Sequence, residues 1–488
     1  MSAFKAWRSV WQAVREPVLA ESRALLQSNW QALPPALQTR HQMLGRQGNG
    51  CGATIGAMPR CDFACRGCYL GDGANTVPAQ SVEEIKAQMR ALRPRLGPAG
   101  NLQLTDGEVT LRPVEEVIAL LQYARSIDLI PMLMTHGDSF RRRPGLLERL
   151  VREGGLTEIS IHVDTTQRGR QGPWRTARTE AELNGLRAEF GAMLRAARAS
   201  TGINVRAATT MTVTPDNLGG VADVVRWLVE NPEEFFMISF QPIAQVGRTE
   251  DGLGDSVDVE RLWQEIARGI YGDASAASVA RLLSGQKWLG HPGCNRFVHG
   301  IVARRVDDGR VTAATFHPVR QQGDAVDERV VDGFLQRFGG LSFRRDSRAA
   351  ALARVVGLVT RAPVFVARSV APYAWHWLNR LSPGAPLRGL AQLARGRLTT
   401  QGFLFVSHHF MSRAQLATPL GQERVAQCVF HVPVNGALVS MCEVNALGIR
   451  ETYYAEITRA RAAEVVRPQA HTSPATSDAS PPPPSLVS

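Results

Sequence analysis

The sequence predicts an α/β chain built on a partial (β/α)6 TIM-like barrel, with a helical N-terminal extension and a C-terminal region of different texture. Three observations carry this. Six short apolar runs alternate with amphipathic stretches between about residues 50 and 250. Helix-start signals fall between those runs. At 488 residues the chain also exceeds what one compact core needs. Regular strand–helix alternation implies parallel strands joined by right-handed crossovers.

Residues 1–48 form the N-terminal extension, where Trp7, Val10, Trp11 and Val14 recur at helical spacing. Residues 49–255 form the barrel, with strands expected at Ala53–Met58, Leu102–Thr105, Ile130–Thr135, Glu158–Val163, Asn204–Val213 and Phe235–Phe240. Ser81 and Glu84 make a capping box for one helix. Pro113 suits the first position of another, and a third follows Pro215-Asp216-Asn217. Residues 256–343 read as connecting helices, then a loop-like insertion over HPGCNRFVHG (291–300) and a hairpin about Asp307-Asp308-Gly309. Residues 344–400 are a basic amphipathic helical segment. Residues 401–465 centre on a hairpin with Asn435-Gly436 at its turn. The tail 466–488, rich in Pro, Ser and Thr, is expected to be disordered.

The formal charge of +12 comes mostly from arginine and suits an anionic small molecule or membrane surface. Without a recognisable nucleic-acid motif, no nucleic-acid partner is expected. No uninterrupted apolar run reaches about eighteen residues, and the N-terminus has no secretory apolar stretch. The expected location is cytoplasmic, with peripheral membrane contact an open alternative. Seven cysteines in such a chain favour metal or redox use over disulfides.

The strongest motif is CDFACRGC, with Cys61, Cys65 and Cys68 spaced x3 and x2. Three thiolates on one tight loop suit three irons of a cubane iron–sulfur cluster. The fourth iron is then open to a small molecule offering an amine and a carboxylate. A zinc knuckle would require a fourth Cys or His nearby, and the loop supplies none. The motif follows the first strand, and parallel barrels place their active sites at the C-terminal ends of their strands.

On these residues the chain resembles the radical S-adenosylmethionine (SAM) superfamily over roughly residues 50–250. The resemblance implies a 4Fe-4S cluster that reductively cleaves SAM to a 5′-deoxyadenosyl radical, with an electron donor such as flavodoxin or ferredoxin. Many members carry an aromatic residue just before the third cysteine; here Gly67 stands there and Tyr69 follows Cys68. LTDGEVTLRP (104–113) looks like the superfamily's Gly-Gly-Glu segment. By resemblance Asp106, Gly107 and Glu108 bind SAM, and Glu108 accepts hydrogen bonds from its ammonium group. Alternation along ISIHVD places Ser160, His162 and Asp164 on one side. These residues contact SAM or substrate, or else simply cap the strand. His136 ends the third strand, and Thr210, Thr212 and Gln241 lie on the fifth and sixth.

The remaining cysteines are open to two readings. Cys428 and Cys442 flank the Asn435-Gly436 hairpin, and Cys294 follows a helix. Together they offer one metal three ligands, with Cys51 or another residue as a fourth. Alternatively they are independent buried thiols. His291, Pro292, Cys294, Arg424, Val425, Cys428, His431, Gly436, Cys442 and Asn445 resemble the branch that includes archaeal tetraether-lipid synthases and pterin dimethyltransferases. That resemblance implies an auxiliary iron–sulfur cluster in a C-terminal domain. This chain has one cysteine at 428 where relatives have two, and because no cysteine precedes Cys51 their cysteine-rich N-terminal metal domain is not expected here.

In residues 344–400, Leu352, Val355, Val356 and Val359 share a helical face near Arg348, Arg354 and Arg361, with Tyr373, Trp375 and Trp377 following. This is either an interfacial element or a helical lid over the barrel. Three functions remain at this point: radical chemistry on an apolar, lipid-like substrate, the same chemistry on a soluble small molecule or peptide, and non-catalytic electron transfer. The sequence does not identify the substrate.

Overall fold

The computed structural model describes residues 3–250, 257–344 and 346–466. Helices α1 (Ala3–Arg15) and α2 (Ala20–Ala32) precede the sheet, as the spacing of the tryptophans predicts. The barrel follows in order: β1 (Cys51–Ala53), α3 (Val82–Leu96), β2 (Gly100–Leu104), α4 (Val114–Ser126) and β3 (Leu129–Thr135). Next come α5 (Asp138–Arg142), α6 (Leu146–Arg152), β4 (Glu158–His162), α7 (Asn184–Thr201), β5 (Arg206–Val213), α8 (Val221–Glu230) and β6 (Met237–Pro242). Six parallel strands stand in the expected order, five of them over most of their expected lengths. Ser81 caps α3, accepting from the Glu84 amide while Glu84 accepts from the Ser81 amide. Pro113 stands at the N-cap of α4.

Strand β1 lies just upstream of the expected run Ala53–Met58 and shares only Ala53 with it, because beyond that point the backbone amides turn to side chains. The Ile55 amide donates to Gln88 (2.8 Å) and the Gly56 amide to Asp106 (2.9 Å). The rest of 53–58 thus becomes the loop that leads to the cysteines.

Beyond the barrel lie α9 (Val259–Tyr271), α10 (Ala276–Leu283), β7 (Gln286–Lys287), β8 (Asn295–Asp307) and β9 (Arg310–Pro318). The hairpin at 307–309 is present. However, residues 295–300 begin the long strand β8 and are not an insertion loop, because they pair antiparallel with residues far downstream. Short helices α11 (Ala325–Asp327) and α12 (Gly333–Phe338) precede α13 (Arg348–Arg361), α14 (Pro363–Leu381) and α15 (Pro386–Ala394). The chain closes with β10 (Leu398–His408), α16 (Arg413–Leu416), α17 (Pro419–Ala426), β11 (Phe430–Val434), β12 (Ala437–Ser440), α18 (Met441–Ala446) and α19 (Ile449–Val466). Nearly all of the expected disordered tail lies outside the described residues.

One correction is architectural. The C-terminal region is not a separate domain, because it contributes strands to the barrel sheet. The order is β12-β11-β1-β2-β3-β4-β5-β6-β10-β8-β7, with β9 paired to β8. Strand β11 runs parallel to β1 and β10 parallel to β6. The six expected parallel strands therefore become eight. Strands β10 and β11 share no ladder, but the segment that follows β10 meets the segment that leads into β11, and this meeting is the seam. Phe410 and Phe430 pack across it with ring centroids 6.4 Å apart, and Arg424 donates to the His409 carbonyl (2.5 Å). The apolar core lies between the sheet and its outer helices and is lined by residues such as Leu121, Phe190, Val225 and Trp263.

Candidate active site

The site is built on the loops that leave the C-terminal ends of the strands. The three-cysteine loop is strapped from several sides. The Ala64 and Arg66 amides donate to the carbonyls of Arg168 (2.8 Å) and Thr166 (3.0 Å), beyond β4. Phe63 stacks on His136 at the end of β3, with centroids 3.8 Å apart. The Arg248 amide, beyond β6, donates to the Cys68 carbonyl (3.0 Å) and its guanidinium to Leu70 (3.2 Å).

The loop also leans on the end of β2. Gly107 has φ of 67°, and a Cβ there would meet the Met58 carbonyl oxygen at 2.1 Å. Only glycine permits both that backbone conformation and that approach. The next amide, of Glu108, donates to the Arg60 carbonyl (2.8 Å), so the second motif is laced to the first.

Cys61, Cys65 and Cys68 are free thiols that line one cavity of about 190 Å³. Burial raises the Cys61 thiol to about 12, and its neighbours Glu108 and Cys68 add to this. Burial likewise raises Cys65, with Cys68 and Cys61 adding to it. Three half-buried sulfurs on one cavity that are costly to ionise alone suit a shared, electron-deficient metal centre.

Glu108 is 1 % exposed and lines the same cavity. Its Oε1 accepts from Thr110 Oγ1 (2.5 Å) and Thr135 Oγ1 (2.8 Å), and its Oε2 from the His136 amide (2.9 Å). Tyr69, Gly107, Ser160, His162, Thr210, Thr212, Gln241 and His136 also line the cavity. Ser160 and Thr210 share a hydrogen bond of 2.9 Å.

Three expected residues lie elsewhere. Asp106 faces away from the cavity: its carboxylate accepts from Arg450 (2.5 Å), the Gly56 amide (2.9 Å) and Tyr454. Asp164 falls beyond the end of β4, so strand alternation no longer governs it. It is buried beneath the cavity wall and accepts from the Thr212 amide (2.7 Å), the Thr166 amide (2.8 Å) and His162. Burial alone would raise its carboxyl, but His162 and these donors hold it below the usual carboxylate range. Cys51 sits at the start of β1, where burial raises its thiol to about 11 and Arg344 is its charged neighbour. The other cysteines do not surround it.

Cys294, Cys428 and Cys442 do meet, at the seam. Burial raises Cys428 to about 12, with Cys442 and Cys294 adding to it, and burial raises Cys442 to about 11, with Cys294 adding. Cys294 immediately precedes β8 and accepts at its carbonyl from the His409 amide just past β10 (2.8 Å), and Cys428 stands two residues before β11. Cys428 precedes β11 and Cys442 opens α18, so they flank the hairpin and do not sit on its arms. Arg424 Nε lies 3.5 Å from Cys294 Sγ. Cys442 also lines the cavity shared with Cys61.

Residues 55–228 match the profile of the Radical SAM superfamily. That stretch of the chain is a radical SAM domain. The domain carries a 4Fe-4S cluster and uses SAM, and Cys61, Cys65 and Cys68 are the thiols in it that fit the cluster. The chain is 24% identical over 208 residues to a 7,8-dihydro-6-hydroxymethylpterin dimethyltransferase of Methanocaldococcus jannaschii, covering 41% of this chain and 37% of that protein. It thus spans little more than a third of that relative's length.

Among solved structures, SuiB of Streptococcus suis bound to precursor peptide SuiA aligns with TM-score 0.32 and 12% identity, covering 45% of each chain. The anSMEcpe enzyme with bound AdoMet gives TM-score 0.32 and 12% identity, covering 45% of this chain and 58% of that one. The hydrogenase maturase HydG of Carboxydothermus hydrogenoformans gives 0.31 and 13%, covering 55% and 56%.

Sequence reasoning missed several residues that shape the radical SAM site. Gln103 and Gln167 line the cavity, and Arg450 lies over the Tyr69 ring at 4.7 Å. None stands in a local motif. Gly67 also gains a physical reason. A Cβ there would lie 3.1 Å from Thr212 Cγ2, so β5 fills the space an aromatic side chain would need.

Proposed function

We propose that this radical SAM enzyme abstracts hydrogen from an apolar, lipid-like substrate bound between the three-cysteine loop and the seam. The carrying observation is the composition of the cavity wall on that side. Leu70, Ile243, Val246, Phe410, Met411, Phe430 and Met441 line it, which suits an alkyl group and offers a polar substrate few partners. When bound, the cluster and SAM supply a 5′-deoxyadenosyl radical, with an electron from a flavodoxin- or ferredoxin-type donor.

The chain's own residues bind, orient and exclude water. Cys61, Cys65 and Cys68 hold the cluster. Glu108, fixed by Thr110, Thr135 and His136, presents a carboxylate to the amino group of SAM. Ser160, His162, Thr210 and Gln241 offer hydrogen-bonding groups along the strand ends. Cys294, Cys428 and Cys442 hold an auxiliary iron–sulfur cluster at the substrate end of the same cavity, with Arg424 supporting Cys294. An electron carrier would have no use for an apolar-walled cavity lined by Cys61, Cys65, Cys68 and Cys442.

Anaerobic reconstitution with iron, sulfide, reductant and SAM should yield 5′-deoxyadenosine and methionine. Adding long-chain lipids should speed that cleavage, whereas soluble pterins or peptides should not. Intact clusters with no deoxyadenosine would refute the radical reading. Stimulation by a peptide alone would refute the apolar substrate.

A further inference from the structure

We propose that the helical layer formed by α1 and α13–α15 docks on an anionic bilayer, with an arginine-lined groove at the α13–α14 bend receiving a phospholipid headgroup. The inference rests on the surface of this layer and not on the radical reading.

The layer is apolar where it meets solvent. Helix α13 packs one face on α1, so closely that a Cβ on Gly357 would meet the Val14 carbonyl oxygen at 2.4 Å. Ala13, Ala350 and Ala353 fill that contact. The opposite face presents Leu352, Val355, Val356 and Val359 to solvent, with Leu352 68% exposed. Val364, Val370 and Trp375 on α14 and Leu387 and Leu390 on α15 are exposed as well. Nine of the fifteen large exposed hydrophobics among the described residues thus lie on three consecutive helices. Trp7 and Trp11, stacked with centroids 6.4 Å apart, add two more on α1. Such a concentration marks an interaction surface.

Charge selects the occupant. From residue 347 to 422 the chain has no Asp or Glu. At the bend, a groove of about 720 Å³ is lined by Arg23, Arg329, Arg337, Arg361 and Arg368, and no carboxylate contributes to it. None of the five forms an ion pair among the described residues. Arg361 spends its donors on backbone carbonyls, including Val14 (2.7 Å), and Arg337 lies over the Phe365 ring at 4.7 Å. Phe338 and Phe365 line the groove, and Val364, 62% exposed, stands at it.

Guanidinium groups in a groove continuous with exposed alkyl side chains match a phosphate headgroup continuous with acyl chains. A second copy of the chain would set arginines against arginines. No single described helix is long and apolar enough to cross a membrane. The pair α13 and α14 passes only together and is bent by 109°. With one face of α13 already packed on α1, the layer suits lying in the interface.

The test is sedimentation of the full chain with phosphatidylcholine vesicles, with and without phosphatidylglycerol, at low and high salt. The wild type should sediment only with phosphatidylglycerol and release at high salt. The double variant R329E/R368E should lose partition by roughly tenfold or more, since each basic residue at an anionic surface contributes on the order of 1 kcal/mol. L352S/V364S should lose binding while keeping its circular dichroism. The inference is overturned if the wild type stays in the supernatant, if binding is equal without anionic lipid, or if both variants bind as the wild type does. It is equally overturned if light scattering shows that L352S/V364S splits a dimer that does not bind vesicles. Deoxyadenosine formation in solution should persist in both variants. A failure here with cleavage intact therefore removes the docking surface and leaves the radical reading standing.

Discussion

Asp106 places a carboxylate in the loop after β2, and that carboxylate is consumed by its own protein. Arg450, 2 % exposed, bonds it at 2.5 Å and also donates to Asn445 (2.8 Å), while its guanidinium covers the Tyr69 ring. A single side chain thus touches the residue after Cys68, the residue two before Glu108, and the helix bearing Cys442. Removing one partner of a buried ion pair strands the other charge, a loss of about 3–5 kcal/mol. R450M should therefore destabilise the protein by that order in urea unfolding and weaken SAM binding in equilibrium dialysis. D106G/R450M, which removes both charges, should recover much of the stability. Equal stability of single and double variants would refute the pairing. Glu108, Gly107 and the three cysteines were legible in the sequence because their chemistry is local and their spacing short. The orientation of Asp106 was not, because its partner lies 344 residues away. At Gly107 the backbone conformation and the Met58 carbonyl both exclude a side chain. G107A should cost on the order of 1–3 kcal/mol and lower the iron retained after reconstitution; iron retention like the wild type's would argue against the lacing of the two motifs.

Among the elements, the six barrel helix–strand units were legible from periodicity, capping and proline position. The hairpins at 307–309 and Asn435-Gly436 were legible too, but strand β10, the first half of β8 and the pairing of β11 with β1 were not. Residues 295–300 carry loop signals in HPGC and Asn295, and their strand character comes from pairing with β10, about a hundred residues on. The same long-range pairing hides eight parallel strands behind a pattern that shows six. Helix α14 is attached to this added sheet through His317 of β9, which stacks edge-on against Trp377 (6.4 Å) beside Arg380. Burial, then Arg281 and Arg380, lower the imidazole to about 4. The unfolded chain, with histidine near 6.5, binds the proton first as pH falls. Stability should therefore be full above about 6.5 and decline toward 4, by on the order of 2–3 kcal/mol from this group. Thermal melts of wild type and H317F across that range check it. The variant's Tm should fall less steeply, and parallel curves would show that His317 carries none of the dependence.

For the whole molecule, the two thiol sets cannot be treated apart. Cys61 and Cys442 line one cavity, and Cys442 belongs to the helix that follows the β11–β12 hairpin. No strand ladder crosses the seam. What holds it is Arg424 on the His409 carbonyl and the Phe410–Phe430 contact, with three thiols gathered nearby. A metal centre on Cys294, Cys428 and Cys442 would then serve as a structural clasp as well as a wall of the substrate space, and binding that organises ligands from distant segments adds to folding stability. Changing all three to Ala should lower bound iron and sulfide by about one cluster and lower the Tm of the reconstituted protein. It should leave reductive cleavage of SAM at the first site in place. Turnover of an added substrate should fall much further than deoxyadenosine formation, because radical generation and substrate placement would be uncoupled. Iron, sulfide and electron paramagnetic resonance measurements on wild type and variant decide the matter. An unchanged iron content would mean that the seam thiols are packing residues and that the Phe410–Phe430 and Arg424 contacts hold the seam without a metal.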